Sequence, residues 1–178
     1  MRMLEASAVV ELVRDSTHTL FETMMDAVPE PLPDYRTSTV RDNQESIFCL
    51  IGFSGEMMGS GSLHCSGECA MRLASALLMG EYGEVDAEVL DAVAEVTNMI
   101  IGNFKTAVEE GYGAIGISTP TVIYGQQYAA RNFGASDWIV IPFRYHNTEF
   151  DVRISLQPDK SSQMRVAPAV ETHQAIPG

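Results

Sequence analysis

Residues 87–110 read AEVLDAVAEVTNMIIGNFKTAVEE, a stretch with the apolar spacing of one long amphipathic helix. Asp86, a good N-cap residue, stands before it, and Gly111 and Gly113 follow it. At about 100° per residue, one arc of roughly 100° contains Val89, Val93, Thr97, Ile100, Phe104 and Val108. We predict that this arc packs against the core of the protein.

The sequence on both sides of this helix alternates between helical and strand-like spacing. Helical spacing marks Glu5 to Val28 and Glu68 to Met79. The β-rich runs are Tyr35 to Arg41, Ser46 to Phe53, Met57 to His64, Ile117 to Tyr124, Trp138 to Arg144 and Phe150 to Leu156. We read the first three of these runs as a meander of consecutive strands.

This order of elements predicts the fold class and the domain boundaries. We expect an α+β domain with a mainly antiparallel sheet and long helices packed against it, in two pseudo-repeated halves that each place a long helix before three strands. Residues 1–156 are expected to form this single domain. Residues 157–178 are rich in Pro, Ser, Gln and Ala, and we interpret them as a flexible C-terminal tail.

The composition bears on location and partners. The 178 residues include 24 acidic and 11 basic side chains, which gives a formal net charge of −13. Such a field repels phosphate backbones and anionic lipid, so we expect neither nucleic acid nor a membrane as a partner. No run of about 18 apolar residues and no signal peptide are recognisable, and we predict a cytoplasmic protein.

The three cysteines are Cys49, Cys65 and Cys69, without the paired spacing of a disulfide framework. Together with His64, two of them could suggest zinc. A structural zinc site needs four ligands, however, and no second Cys or His pair follows at usable spacing. We therefore favour buried thiols and predict no metal site.

The polar face of the central helix is the candidate functional surface. Spacings of three and four residues place Asp91, Glu95, Asn98 and Gly102 over one another, opposite the apolar arc. Any surface helix has polar residues opposite its apolar stripe, so this face alone identifies no active site. A longer pattern is more specific: after Asp91, a Glu follows four residues later, an Asn three after that, and Pro120 twenty-two further on.

This pattern resembles the signature of the CheC, CheX and FliY family of chemotaxis phosphatases. Four blocks of sequence are similar to the family's and stand in its order: FSGE at 53–56, LDAVAEVTNMI at 90–100, STPTV at 118–122 and IVIPF at 139–143. The resemblance covers about Glu5 to Leu156 and implies a CheC-like fold. It also implies a phosphatase that acts on the phosphoaspartate of a response regulator, with Mg2+ supplied by the regulator and no cofactor of its own.

The resemblance assigns roles to the residues of the pattern. In the family the Glu clamps the regulator's active-site lysine and the Asn enters its pocket, so we expect Glu95 and Asn98 to be catalytic. An amide suits the second task, because its carbonyl oxygen holds water without adding negative charge beside the phosphoryl oxygens. Asp91, Glu95 and Gly102 are expected to contact the partner. Pro120, which lacks an N–H, is expected to have a structural role at the start of a strand.

The first helix carries the same spacing with one change. Ser7 and Glu11 occupy the first two positions, but Arg14 replaces the Asn. A long cation cannot orient water as an amide does, so we predict that the first half is not catalytic. A single intact motif resembles CheX more than CheC, which implies a homodimer. The alternative is a non-catalytic receiver-binding or scaffold module.

Overall fold

The elements of the fold follow one another along residues 4–131 and 137–159, which a computed structural model of the chain describes. The first half contains α1 (Ala6–Met24), β1 (Glu30–Pro31), β2 (Tyr35–Thr37), β3 (Thr39–Asp42), β4 (Ser46–Gly55) and β5 (Met57–Ser66). The second half contains α2 (Gly67–Leu78), α3 (Ala87–Tyr112), β6 (Ile115–Ile117), β7 (Thr121–Gly125), β8 (Tyr128–Arg131), β9 (Trp138–Tyr145) and β10 (Thr148–Pro158). The predicted α+β class is confirmed.

One large antiparallel sheet organises the protein. Its strand order is β1-β9-β10-β5-β4-β6, with β2 also paired to β9 and β7 also paired to β4. The long strands β5 and β10 run side by side at its centre, from Phe150 opposite Cys65 to Pro158 opposite Met57. A second sheet contains only β3 and β8. The mainly antiparallel sheet of the prediction is therefore confirmed.

The three helices cover one face of the large sheet. Successive strand residues point to opposite faces, and Leu63 and Cys65 of β5 point into the main core. This core also receives Val13 of α1, Leu73 of α2 and Ile100 of α3, all fully buried. The opposite face carries a smaller apolar cluster that contains Val40, Phe48, Trp138 and Val140. The protein therefore has a helical layer, a large sheet and a small second sheet.

His64 lies on the face away from the helices, between two carboxylates. Its ring nitrogens are 3.2 Å from Asp42 and 3.2 Å from Asp151. Burial opposes ionisation of Asp151, but hydrogen bonds from His64 and Arg153 outweigh it and lower the pKa of Asp151. Cys65 points to the other face, and the three cysteines are buried free thiols, as predicted.

The three predicted helices are present, although α1 ends at Met24, four residues before the predicted Val28, and α3 has the predicted Asp86 cap. The Asp86 carboxylate accepts a hydrogen bond from the Val89 amide at 2.9 Å, and α3 ends at Tyr112, before Gly113, whose φ of 88° favours glycine. The Ser66 hydroxyl accepts from the Cys69 amide at the start of α2. The Asp86 cap could be predicted because it depends on residues close in sequence, whereas the Ser66 cap was not predicted.

The predicted meander of three consecutive strands is wrong. The run from Tyr35 to Arg41 is divided between β2, which pairs with β9, and β3, which pairs with β8. The run from Ile117 to Tyr124 is likewise two strands, separated by Ser118, Thr119 and Pro120. Strand β8 was missed, because four residues with alternating exposure carry little periodic signal.

Strand pairing also bears on the predicted halves and tail. Strands β1 and β2 pair with β9 of the second half, while β6 and β7 pair with β4 of the first. Strands of each half thus pair with strands of the other. The predicted three strands per half are wrong, since five described strands follow each of α1 and α3, and the pseudo-repeat stays a prediction. Strand β10 extends through Gln157 and Pro158, two residues into the predicted tail. Residues 160–178 of that tail lie outside the described residues.

Candidate functional site

Helix α3 positions the candidate site through its buried face. The six residues of the predicted apolar arc, Val89, Val93, Thr97, Ile100, Phe104 and Val108, are all buried. Thr97 lies fully inside the core because its hydroxyl donates to the Val93 carbonyl oxygen at 2.7 Å. This packing fixes the rotation of α3 about its axis, and with it the direction of the opposite face.

The opposite face presents two unpaired carboxylates and an unpaired amide. Asp91 and Glu95 are exposed, and Asn98 is half-buried. Within the two described ranges, the structure shows no hydrogen bond or ion pair from any of these three side chains to another group. Residues three apart on a helix are neighbours, with about 5–6 Å between Cβ atoms. Glu95 and Asn98 are therefore free to contact one external target together.

Gly102 continues this face one turn beyond Asn98, in the interior of α3. A Cβ atom built on Gly102 has open space around it, with no heavy atom within 4 Å apart from the adjacent helix backbone. Glycine inside a helix is about 0.5–1 kcal/mol less favourable than alanine. The surrounding chain therefore gives no packing reason for a glycine here.

Pro120 directly precedes β7, after the break that separates β6 from β7. In this break Ser118 is held to β4, since its amide donates to the Gly52 carbonyl oxygen at 3.0 Å and its hydroxyl accepts from the Gly52 amide at 2.9 Å. Both β6 and β7 contact α3. The structural role of Pro120 stays a prediction, and its position at a strand start fits that role.

A groove beside the N-terminal half of α3 contains residues that the sequence analysis did not single out. The groove lies between the end of α2 and α3, and its lining includes Asp91 and Glu95 together with Leu77, Leu78, Tyr82, Glu88 and Ala92. The signal available in the sequence was an apolar pair, Leu77 and Leu78, that continues to the last residue of α2.

A second cleft, on the other side of α2, differs from the α3 face in its electrostatics. Its lining includes Asp26, Glu68, Arg72 and His146. Arg72 pairs with Glu68 at 3.1 Å, and His146 lies 3.1 Å from Asp26. Tyr145 also donates its hydroxyl to Asp26, and burial together with this carboxylate raises the pKa of Tyr145. Arg72, Glu68, His146 and Asp26 thus pair within this cleft, whereas Asp91 and Glu95 of α3 have no such partner among the described residues.

Metal ligands and membrane spans were sought across the described residues. These residues contain no group of three or more His, Cys, Asp or Glu side chains arranged to hold a metal ion. None of the helices α1 to α3 is long and apolar enough to cross a membrane.

The unpaired side chains of α3 allow a limited set of reactions. A carboxylate such as Glu95 can bind a cation through charge-assisted hydrogen bonds. An amide such as Asn98 can accept a hydrogen bond from water and donate another, without changing charge. The pair can therefore dock on a cationic site and position a water molecule within it.

Comparison with known proteins gives a family match over more than half of the chain. The sequence pattern of the family described as chemotaxis phosphatase CheX matches residues 47–144. A curated relative from Thermotoga maritima, named CheY-P phosphatase CheX, is 28% identical over 143 residues, which is 78% of this chain and 91% of that protein.

Solved structures show the same architecture. The chemotaxis protein CheX from Desulfovibrio desulfuricans is 28% identical, with a TM-score of 0.73 over 84% of this chain and 99% of that one. A CheX–CheY–BeF3–Mg2+ complex from Borrelia burgdorferi contains a chain that is 25% identical, with a TM-score of 0.70 over 84% of this chain and 97% of that one.

Proposed function

The chain belongs to the CheX family of chemotaxis phosphatases, and we propose that it hydrolyses the aspartyl phosphate of a CheY-like receiver domain through Glu95 and Asn98. The observation that carries the catalytic part is the pair itself. Glu95 and Asn98 lie one turn apart on a helix whose other face is completely buried. Neither side chain forms a hydrogen bond or ion pair with another described residue.

Asn98 is proposed to position the attacking water. An aspartyl phosphate is an acyl phosphate, which already tends to hydrolyse, so catalysis chiefly requires water in line with the leaving carboxylate. The Asn98 carbonyl oxygen accepts a hydrogen bond from that water without placing a second negative charge against the phosphoryl oxygens. Asn98 thus acts by orientation and does not remove a proton as a general base.

Glu95 is proposed to hold the receiver through a cation. A bare carboxylate close to a phosphoryl group raises the energy of the complex unless it engages a positive charge there. In the family that this chain resembles, that charge is the receiver's active-site lysine, and the contact is a charge-assisted hydrogen bond. Glu95 therefore contributes mainly to docking, while Asn98 contributes to the transition state.

Mg2+ is proposed to reach the reaction with the receiver. The related structure from Borrelia burgdorferi is described as a complex of CheX, CheY, BeF3 and Mg2+. Bound Mg2+ neutralises charge on the phosphoryl oxygens. We further propose that Asp91 and Gly102 contact the receiver, that the protein acts in the cytoplasm, and that it forms a homodimer.

The experiment mixes this protein with phosphorylated receiver domains of the same organism and follows loss of phosphate with time. Turnover by the wild-type protein that stops in excess chelator supports the proposal. Binding without any loss of phosphate would instead favour the non-catalytic module. Undiminished turnover in chelator, with phosphoreceiver prepared beforehand, would contradict the proposed role of Mg2+.

A further inference from the structure

The groove between α2 and α3 is continuous with the proposed active site. Asp91 and Glu95 belong both to the polar face of α3 and to the lining of this groove. A receiver that presents its lysine to Glu95 therefore extends over the groove, unless its surface curves away within one helical turn. The groove therefore lies within reach of a receiver docked at Glu95.

An exposed apolar residue, Leu78, lines the groove at the end of α2. Leu78 is 46% exposed, and Met79, which follows it and lines the neighbouring cleft, is 93% exposed. Met79 also has a φ of 55°, a left-handed conformation that methionine rarely adopts. Adjacent exposed apolar side chains of this size mark interaction surfaces more often than isolated ones do.

The groove is held in shape before any partner arrives. The Tyr82 hydroxyl donates to the Glu88 carboxylate at 3.0 Å, which ties the segment between α2 and α3 to the first turn of α3. The Asp86 cap fixes that same turn. A preformed site binds without the entropic cost of ordering its own side chains.

The charge of the groove limits what can bind there. Its lining contains three carboxylates, those of Glu88, Asp91 and Glu95, and no cationic side chain. The whole chain carries a formal charge of −13, which adds to the field at this surface. The groove therefore suits an apolar group with a positive charge beside it.

We infer that this groove is a second docking site for the receiver, which binds an apolar side chain flanked by a lysine or arginine from the surface around the phosphorylated aspartate. This inference rests on the proposed function, since it takes the receiver as the partner at Glu95. The groove then adds affinity and selectivity among receivers, while Glu95 and Asn98 carry out the chemistry.

The first test replaces Leu78 and a matched control. Met24 is the last residue of α1 and is 49% exposed, so Met24→Ser changes a helix end of similar exposure away from the groove. Binding is measured to receiver domains loaded with beryllium fluoride and Mg2+, and single-turnover hydrolysis is measured at saturating phosphatase. We expect Leu78→Ser to raise Kd about fivefold to tenfold, with saturated hydrolysis unchanged and Met24→Ser like wild type.

A second pair of variants tests the positive charge of the occupant. Leu78→Glu and Leu78→Lys both remove the apolar contact, but only the lysine repels a cation. Receiver affinity should therefore fall in the order wild type, Leu78→Glu, Leu78→Lys, and the gap between the two variants should shrink as salt is added. If Leu78→Lys binds the receiver more tightly than Leu78→Glu, the group that occupies the groove is not flanked by a positive charge, and the inference is overturned.

The outcomes separate this inference from the proposed function. If the wild-type protein hydrolyses phosphoreceiver and Leu78→Ser binds as tightly as wild type, the docking site is wrong and the function stands. If neither the wild-type protein nor its variants hydrolyse any phosphoreceiver, the proposed function fails first. If Leu78→Ser changes the molecular mass of the protein measured by sedimentation while receiver affinity stays the same, the groove binds a second copy of the chain. This outcome also overturns the inference.

Discussion

Helices α1 and α3 carry the same spacing of polar residues but use it differently. On α1 the three positions are Ser7, Glu11 and Arg14, and the guanidinium of Arg14 donates to the Leu32 carbonyl oxygen at 3.2 Å and contacts Asp34 at 3.4 Å. On α3 the third position is Asn98, which has no such partner among the described residues. One helix uses this position to hold its own half together, and the other leaves it open.

The next turn of each helix shows the same difference. Four residues after Arg14 stands His18, which lies 3.7 Å from Glu22 on α1. Four residues after Asn98 stands Gly102, with open space around its backbone. At these two positions α1 binds its polar groups to other parts of the chain, whereas α3 presents an unpaired amide and an accessible backbone. The predictions below test this distinction.

The largest expected effect is that of Asn98→Ala. Because Asn98 is proposed to position water in the transition state, single-turnover hydrolysis should fall by about 100-fold or more while receiver binding persists. Asn103 provides the control, since it is an exposed Asn on the same helix, and Asn103→Ala should keep full activity. If Asn98→Ala hydrolyses phosphoreceiver at the wild-type rate, the proposed catalytic role is wrong and the non-catalytic binding module replaces it.

The second effect compares Glu95 with Glu11, its counterpart on α1. Glu95→Ala removes a charge-assisted contact to the receiver, so affinity should fall by roughly 1.5–3 kcal/mol. Glu11→Ala removes a carboxylate that is also exposed and should leave turnover and binding nearly unchanged. Titration with a receiver carrying beryllium fluoride measures both variants. A large loss in Glu11→Ala, with circular dichroism unchanged, would mean that the first half takes part in docking.

The third effect concerns the structural use of Arg14. Arg14→Ala removes a hydrogen bond to a backbone carbonyl and a half-exposed ion pair that anchor the segment between β1 and β2, so the free energy of unfolding should fall by about 1–2 kcal/mol. Hydrolysis should stay at the wild-type level. Urea unfolding gives the first quantity and the phosphate assay the second. A loss of turnover with unchanged stability would reverse the roles assigned to the two helices.

The sequence predicted the helices and the placement of Glu95 and Asn98 on α3 better than it predicted the sheet, for a physical reason. The buried face of α3 is set by Val89, Val93 and Ile100, which lie close together in the sequence. Helical periodicity then places Glu95 and Asn98 on the opposite face. The division of residues 35–41 between two strands depends on β8 and β9, about a hundred residues later. Pairing at that distance leaves no periodic trace in either segment.

The groove escaped sequence analysis for the same reason. Leu78 is an apolar residue at helical spacing, and its exposure depends on how the end of α2 meets α3. Likewise, nothing local distinguishes Arg14 as a structural residue, since its partners Leu32 and Asp34 are reached only after the chain has turned back along α1. Residue type indicated that Arg14 could not orient water, but the contact that it makes came from the tertiary structure.

The smallest expected effect, that of Gly102→Ala, separates stability from activity. The added methyl group has open space in the free protein, so we expect the free energy of unfolding to rise by about 0.5–1 kcal/mol, the usual preference of a helix interior for alanine. If the receiver approaches the backbone at Gly102, the same methyl group obstructs it, and hydrolysis below saturation should fall severalfold. Gly111→Ala is the control, because Gly111 also lies in α3 with nothing within 4 Å but near its C-terminal end. Urea unfolding and the second-order rate of phosphate loss are measured for both variants. A Gly102→Ala protein that is more stable and fully active would show that the receiver does not reach this turn, and would limit the open face of α3 to Asp91, Glu95 and Asn98.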